Sequence, residues 1–498
     1  MICQASRLTY LLLFLYTLTM LDSLLSHLHT AWLIFLVVMF FNLMIFVHEL
    51  GHFLAGKWRG AYIDRFQIWF GKPLWQKTIG GVQWGIGWIP AGGFVSLPQL
   101  ADMQSVEGEA EIPADLKPLG ALDKIIIAAA GPFFSLLLAY VFAVIVWGVG
   151  KPVTELNTTV IGYVPADSPA AEAGLLPGDV ITAVDGQAVT KWMGNMEGVR
   201  ELVAMSEHET IAFDIDRTAV DGTVQHLVIP CGYRLPETKW WQRGGLRQVG
   251  VMPATPTVVG SIILGSPAEK AGLVSGQTLR RVNGVPVYSA AAVADMADAG
   301  EPMQLELENA DGSTSACTIT PAVPSNWQGK EGARPVMGFS WSPVFADMAK
   351  EHPTPQAQVS HSLKWMGDTL AKVASPGSSV GMEHLSGPVG IGSYLFRMLE
   401  SPGGWMLILW FAVVLNVNLA VLNILPLPIV DGGHVVLGTL ELIFRRPVGG
   451  KVLDWIQNGF LFLLMAFFLF VTFKDVGDIV GGAAEKAESL PAPVFSEE

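Results

Sequence analysis

His48 and His52 stand four residues apart in the run His48-Glu49-Leu50-Gly51-His52, inside an apolar stretch. On a helix, residues i and i+4 project from one face about 40° apart, so both imidazoles can reach one metal ion. Glu49 sits beside them, placed to take a proton from an attacking water. Asn42, seven residues before Glu49, falls on nearly the same stripe. Ionisable side chains within a span are costly and usually face a bundle interior or a water-filled cavity. The run therefore reads as a site, in preference to a chance match with snorkelling side chains.

A second cluster lies far along the chain. Asn416, Asn418 and Asn423 precede Pro426 and Pro428, and Asp431-Gly432-Gly433-His434 follows. Two prolines at i and i+2 cannot continue a helix, and broken backbone at membrane depth is tolerated only where protein or water satisfies it. Catalytic zinc takes three protein ligands and keeps one position open. Asp431 would complete His48 and His52, with His434 as the rival ligand. Asp431 is preferred because two neutral imidazoles and a carboxylate leave the site less positive than three histidines.

Holding such a site in place takes membrane-spanning helices. The 498 residues suffice for about three ordinary domains. Hydrophobic residues make up 51% and charged residues 15%, against roughly 25% charged in soluble proteins. With a mean hydropathy of +0.43, this excludes a disordered chain and a wholly soluble enzyme. The net charge of −14 lacks the basic footprint that a nucleic-acid partner needs. Cys3, Cys231 and Cys317 are too few and scattered for a disulfide scaffold or a cysteine zinc module; Cys231 and Cys317 are expected as buried free thiols. Four stretches are long enough for a bilayer core, which takes roughly 20 helical residues: Ala31–Ala55, Ile125–Gly148, Ser401–Val430 and Trp455–Phe473. Leu8–Leu21 is apolar but short, between Arg7 and Asp22. It fits a signal-like segment, an extra span, or translation upstream of a start at Met20.

Basic residues set the expected orientation. Lys57, Arg59, Arg65, Lys72 and Lys77 follow the first span, and Arg445, Arg446 and Lys451 lie between the third and fourth. Short basic loops stay cytoplasmic, so residues 151 to about 400 are expected on the other side. Within that region the chain repeats itself at an offset of 98 residues: IGYVPADSPAAEAGLLPGDVITAVDGQAV from Ile161, and VGSIILGSPAEKAGLVSGQTLRRVNGVPV from Val259. Ser-Pro-Ala suggests a short helix with a serine N-cap and proline in the first turn, and the strand before Asp-Gly suggests a hairpin. The pattern resembles PDZ domains, with Gln277 replacing Asp179 in the second copy. PDZ domains bind extended peptides by strand addition; the other reading is a steric module that binds nothing.

After the first span, Val82, Trp84, Ile86 and Trp88 alternate with Gln83, Gly85 and Gly87, and Phe66, Ile68 and Phe70 alternate likewise. This period of two predicts a membrane-dipping β-hairpin with an interfacial aromatic belt. An open edge at Trp84, Gly85, Ile86 and Gly87 could receive an extended substrate strand; a purely structural hairpin is the alternative. Pro355–Val373 has helical character, with Leu363, Met366, Leu370 and Val373 as an apolar stripe that either packs on a neighbour or gates substrate entry.

Taken together, His48–His52, Ala130-Gly131-Pro132, Leu385-Ser386-Gly387-Pro388-Val389-Gly390 and Asn423-Ile-Leu-Pro-Leu-Pro-Ile-Val-Asp-Gly-Gly-His434 resemble the site-2 protease family, and the two PDZ copies make the chain similar to its RseP subgroup. The resemblance covers Ser23 to about Lys474. It implies one zinc ion at His48, His52 and Asp431, Glu49 as general base, and Asn418 and Asn423 holding the substrate backbone. The family often carries Ala-Gly-Pro-x-x-Asn; Ser135 stands at that last position here.

The expected fold is a multi-span α-helical membrane protein with a four-helix core, a membrane-associated β-hairpin and two extracytoplasmic PDZ-like α/β domains. The expected divisions are an N-terminal hydrophobic segment (1–30), membrane core with spans one and two (31–150, hairpin 61–97), PDZ-like domains (151–250 and 251–335), an amphipathic linker (336–400), spans three and four (401–475) and a tail (476–498). The expected function is an intramembrane zinc endopeptidase of the bacterial inner membrane. Its substrates would be single-span proteins already trimmed outside, such as anti-sigma factors and leftover signal peptides. Its other partners are the lipid bilayer and a peptide or protein at the PDZ-like domains. A PDZ scaffold merely anchored by its spans would not need His48, Glu49, His52 and Asp431, and a metalloprotease acting from a soluble domain would need a third ligand there.

Overall fold

Long uncharged runs become helices in hydrocarbon because the backbone there has no hydrogen-bonding partner but itself. The computed structural model describes residues 2–100, 116, 118–153, 156–194, 197–219, 221–342, 350–446 and 450–495. Among these, four helical segments are long and apolar enough to cross a membrane: Ser23–Arg59, Ala121–Val149, Gly404–Ile424 and Trp455–Ala483. The chain divides into two compact units. The first comprises Met1–Lys151, Glu351–Met366 and Gly387–Thr472, and the second Pro152–Lys350, Gly367–Ser386 and Phe473–Glu498.

In the membrane unit, α1 (Ile2–Arg59) runs without a break from the N-terminal segment into the first span. Strands β1 (Arg65–Ile79) and β2 (Val82–Ser96) follow, then α2 (Ala121–Val149), α3 (Gly404–Ile424), α4 (Asp431–Phe444) and α5 (Gly450–Glu488). Helix α2 is central, with α1, α3 and α4 all packed on it. Ala139, Phe142 and Ala143 of α2 are buried against Ala412, Val413 and Val417 of α3. Ion pairs fix the helix ends: Arg59 with Asp123, and Lys124 with Glu441 at 2.9 Å.

Two expectations change here. The third apolar stretch is helical only to Ile424, because Pro426 and Pro428 end the helix; Asp431 instead opens α4. In Pro355–Ala374 the buried residues are Pro355, Gln358 and Ser362, while Leu363 of the expected stripe is exposed. Gln358 Nε2 donates to the carbonyls of Ala143 and Pro353, while Met366, Leu370 and Val373 of the stripe are half-buried.

The hairpin doubles back on itself. Arg65–Ile68 pairs with Gly93–Ser96 on one side and with Gln83–Ile86 on the other, and Gln83–Ile86 also pairs with Trp75–Thr78. The sheet is thus four segments wide, and Trp84, Gly85 and Ile86 lie inside it rather than at an open edge. Gly87 is paired with Pro73, and a Cβ there would come within 2.3 Å of the Phe70 carbonyl oxygen. The reversal occurs where Trp69 and Gly71 take left-handed φ values of 67° and 87°. Trp69 donates from Nε1 to Asn42 Oδ1 at 2.5 Å, so Asn42 anchors this bend. Alternating apolar residues mark a strand but do not say which neighbours it acquires. The two outer segments of the sheet are Gly93–Ser96 and Trp75–Thr78.

The second unit contains the repeat as two sheets of one strand order. The first runs Gln187–Ala188, Val180–Val184, Ile211–Thr218, Val224–Cys231. The second runs Val285–Pro286, Thr278–Val282, Met303–Glu308, Thr314–Ile319. Ser168 and Ser266 cap the short helices by accepting from Ala171 N and Glu269 N. Asp185-Gly186 and Asn283-Gly284 are left-handed at both positions, as a tight hairpin turn requires. Asp179 accepts from Leu176 N, and Gln277 accepts likewise from Val274 N, both at 2.8 Å, so the replacement keeps the loop bond. Asp179, which is buried, also pairs with Arg217, whereas Gln277 donates to Asn309.

Cys231 and Cys317 are free thiols, the first buried and the second half-buried; the Cys3 side chain lies outside those described. Burial, helped by the Glu172 charge, pushes the Cys231 thiol up to about 11. At pH 8 only about a thousandth of it is then thiolate, the reactive form. In a chain with Cys3 and Cys317 replaced, maleimide at pH 8 should modify Cys231 only when the domain is unfolded; rapid native labelling would contradict the buried placement.

Candidate metal centre

The site begins with close helix approach. A Cβ on Gly51 would stand 2.5 Å from the Ala130 carbonyl oxygen of α2, and a Cβ on Gly131 would stand 2.2 Å from His52 Nε2 and 2.8 Å from His48 Nε2. Glycine at both positions lets α1 and α2 touch where the imidazoles lie. Gly432 and Gly433 do the same for α4: a Cβ at either would come within 2.2 Å of a carbonyl oxygen in Ile424–Leu427. These glycines supply space within a helix rather than flexibility.

The result is a tight cluster. His48 Nε2 lies 3.1 Å from Asp431 Oδ2, His52 Nε2 lies 3.2 Å from Asp431 Oδ1, and the two Nε2 atoms are 3.3 Å apart. His52 Nδ1 is 2.8 Å from the Ile127 carbonyl oxygen. A carbonyl only accepts, so Nδ1 carries the proton and Nε2 presents a lone pair. His48 Nδ1 meets Ser135 Oγ at 3.0 Å, which favours the same arrangement. Asp431 Oδ2 is buried with no hydrogen-bond partner. Electron-rich atoms crowded in this way repel unless a cation joins them. Ligands about 2.0–2.1 Å from a tetrahedral ion stand roughly 3.3 Å apart, so the three residues fit zinc. Outer hydrogen bonds to Nδ1 are the usual means of orienting such imidazoles.

A cavity of about 340 Å³ opens beside the cluster, lined among others by Glu49, Asn423, His434 and Gly92–Val95. Val95 N donates to Glu49 Oε2 at 3.0 Å. In an antiparallel ladder, amides alternate in direction. Val95 therefore turns its N–H away from β1, and Gly93, two residues earlier, turns its backbone groups the same way.

His48, Glu49, His52, Asp431 and Asn423 thus meet at one place. Asn418 is half-buried but does not line the cavity, and neither do Trp84, Gly85, Ile86 and Gly87. Asn416 turns back to the Ala412 carbonyl of its own helix. His434 lines the cavity but lies outside the His48–His52–Asp431 group whose ligand atoms converge. Sequence reasoning missed four features: the roles of Gly51 and Gly131, the hydrogen bond between His48 and Ser135, and the edge at Gly92–Val95. The signals were present in the Ala-Gly-Pro motif and the Gly92-Gly93 pair.

Four membrane-type helices and a zinc-compatible triad, with both histidines buried and the aspartate half-buried, fit a membrane metalloprotease, and comparison with known proteins agrees. The model of peptidase family M50 matches residues 34–467. A Neisseria meningitidis protein that carries a zinc metalloprotease name is 32% identical over 457 residues, covering 88% of this chain and 97% of its own. The regulator of sigma-E protease RseP of Escherichia coli K12 is 28% identical, covering 87% and 96%. The protein of that name from Salmonella typhimurium strain 14028s is also 28% identical, covering 89% and 98%. The chain belongs to peptidase family M50 and is a zinc metalloprotease.

Replacing Ser135 by Ala should weaken zinc binding by about 10–100-fold, as for other outer partners of metal-ligating histidines, measured by chelator competition. Gly131→Ala should prevent stoichiometric zinc uptake altogether. Unaltered affinity in both variants would contradict this arrangement.

Proposed function

We propose that the chain is an intramembrane endopeptidase that cuts single-span membrane proteins, with His48, His52 and Asp431 holding one zinc ion and Glu49 moving the proton. The observation that carries this reading is the meeting of the triad, Glu49, Asn423 and the free edge at Gly93–Ser96 around one cavity.

Bound zinc would supply Lewis acidity, lowering the pKa of a water and polarising a carbonyl. The Val95 N–H orients Glu49 through Oε2, and the Glu49 carboxylate accepts the proton of the attacking water. The same carboxyl then delivers that proton to the leaving amine. A helical substrate hides its peptide bonds in its own hydrogen bonds, so it must first be extended. The outward backbone groups of Gly93 can pair with an extended segment by strand addition, and the Asn423 amide can take a further freed backbone group. Substrate contact thus moves from Trp84–Gly87 to Gly93–Ser96.

The two copies in the second unit act in this reading as PDZ-like domains on the extracytoplasmic side of a bacterial inner membrane, with the basic loops on the cytoplasmic side. Their shared strand order and serine-capped helices support it. They would exclude substrates whose bulky outer parts have not been trimmed, a specificity by rejection. Membrane-bound anti-sigma factors and leftover signal peptides fit this substrate class, in keeping with the sigma-E names of the relatives.

Glu49→Gln should keep one zinc per chain while lowering cleavage of a model single-span substrate by at least about 10²–10⁴-fold. Cleavage that persists in the variant would end this reading. Gly93→Pro removes an edge donor and should abolish cleavage with zinc retained; full activity would contradict strand addition at this edge.

A further inference from the structure

Each copy in the second unit has a groove between a short helix and an extended segment whose glycine packs on the capping serine. Gly250 lies against Ser168, and Gly338 against Ser266. In the first copy the groove between Val199–Met205 and Gln248–Met252 is open, at about 500 Å³. In the second, the groove between Ala290–Ala297 and Val336–Trp341 has only about 160 Å³ left, and Pro493 forms part of its lining.

Residues near the C-terminus are held there by an organised set of donors and acceptors. Trp327 Nε1 donates to the Pro491 carbonyl at 2.7 Å, and Asn326 Nδ2 donates to the Ala492 carbonyl at 2.8 Å. Val494 N donates to Asn326 Oδ1 at 3.0 Å. The Val494 carbonyl accepts from Ser325 N at 2.9 Å and from Ser325 Oγ at 2.8 Å. The Phe495 ring lies 2.9 Å from where a Cβ on Gly338 would stand. Pro493 and Phe495 are half-buried while Val494 between them is exposed, the alternation of an extended peptide on a surface. Pro491 and Pro493 fix φ, so little freedom is lost on docking.

The fold itself does not require this segment. The first copy builds the same strand order with an open groove, and counting six to eight residues beyond the final strand, which ends at Ile319 in the second copy and Cys231 in the first, Ser325, Asn326 and Trp327 are matched by Glu237, Thr238 and Lys239. The clamp is therefore particular to the second copy.

We propose that Pro491–Phe495 is an intramolecular ligand of the second copy and keeps its groove closed to other apolar peptides. This rests on the PDZ-like reading of the two copies and is independent of the metal centre. The test compares the full chain in detergent with a chain truncated after Ser489, by hydrogen exchange and by binding of a labelled Leu490–Phe495 peptide. Truncation should speed amide exchange across Ser325–Gly338 by about tenfold or more, while the buried strand amides of Leu305 and Leu307 stay protected. The peptide should bind the truncated chain and not the full one, and Trp327→Ala in the truncated chain should abolish that binding. Unchanged exchange overturns the proposal, as does equal binding to both chains or to neither. Loss of protection at Leu305 and Leu307 also overturns it, because the segment would then be part of the fold. Failure of the PDZ-like reading would show elsewhere, as a first-copy groove that takes no peptide of any sequence.

Discussion

Everything in the membrane unit answers to one electrostatic constraint: two imidazole lone pairs and a carboxylate are brought within 3.3 Å of one another where little water reaches them. Such a cluster is costly alone and favourable around a cation. The packing serves that arrangement. Gly51 and Gly131 bring α1 and α2 together, Gly432 and Gly433 seat α4 on the broken segment after α3, and the prolines there end one helix so that another can begin at Asp431. The hydrogen-bond acceptors on the far side, Ile127 O for His52 and Ser135 Oγ for His48, orient both rings. Zinc therefore completes a structure whose helices are positioned by backbone approach and ion pairs at their ends.

The same unit places an unpaired strand edge beside the metal group. The Val95 amide joins the two by holding Glu49. A β-edge at membrane depth leaves backbone groups unsatisfied, which is tolerated only where it lines a cavity. Here Gly92–Val95 line the cavity beside the metal group. In the second unit, the two copies share a fold but differ at their grooves, one open and one bearing the chain's own proline-containing segment. Duplication has left the strand order intact while Ser325, Asn326 and Trp327 give one copy a distinct surface.

Much of this was legible in the sequence because the chemistry is written in spacing. His48 and His52 share a helix face at any position in a fold, and Pro426 and Pro428 had to break a helix before Asp431. The 98-residue repeat required two sheets of like topology. What was hidden depends on contacts between distant segments. Alternation at Trp84–Gly87 identified a strand, but the reversal at Trp69–Gly71 that buries it inside the sheet is set by Asn42 on another element. Ser135 looked like a departure from a familiar amide, yet its hydroxyl reaches His48. The Gly432-Gly433 pair is plain in the sequence, but its role shows only in the carbonyls of Ile424–Leu427, which stand where the missing Cβ atoms would be. The helix at Pro355–Ala374 was legible from its apolar spacing, but the burial of Gln358 against the Ala143 and Pro353 carbonyls was not.

X-ray absorption at the zinc edge tests the central claim most directly, because it reports the ligand set itself. The arrangement predicts two imidazole nitrogens at about 2.0–2.1 Å and carboxylate oxygen at about 2.0–2.2 Å, with the spectrum changed in Asp431→Asn and unchanged in His434→Ala. Three imidazoles around the ion, or a spectrum indifferent to Asp431, would contradict it.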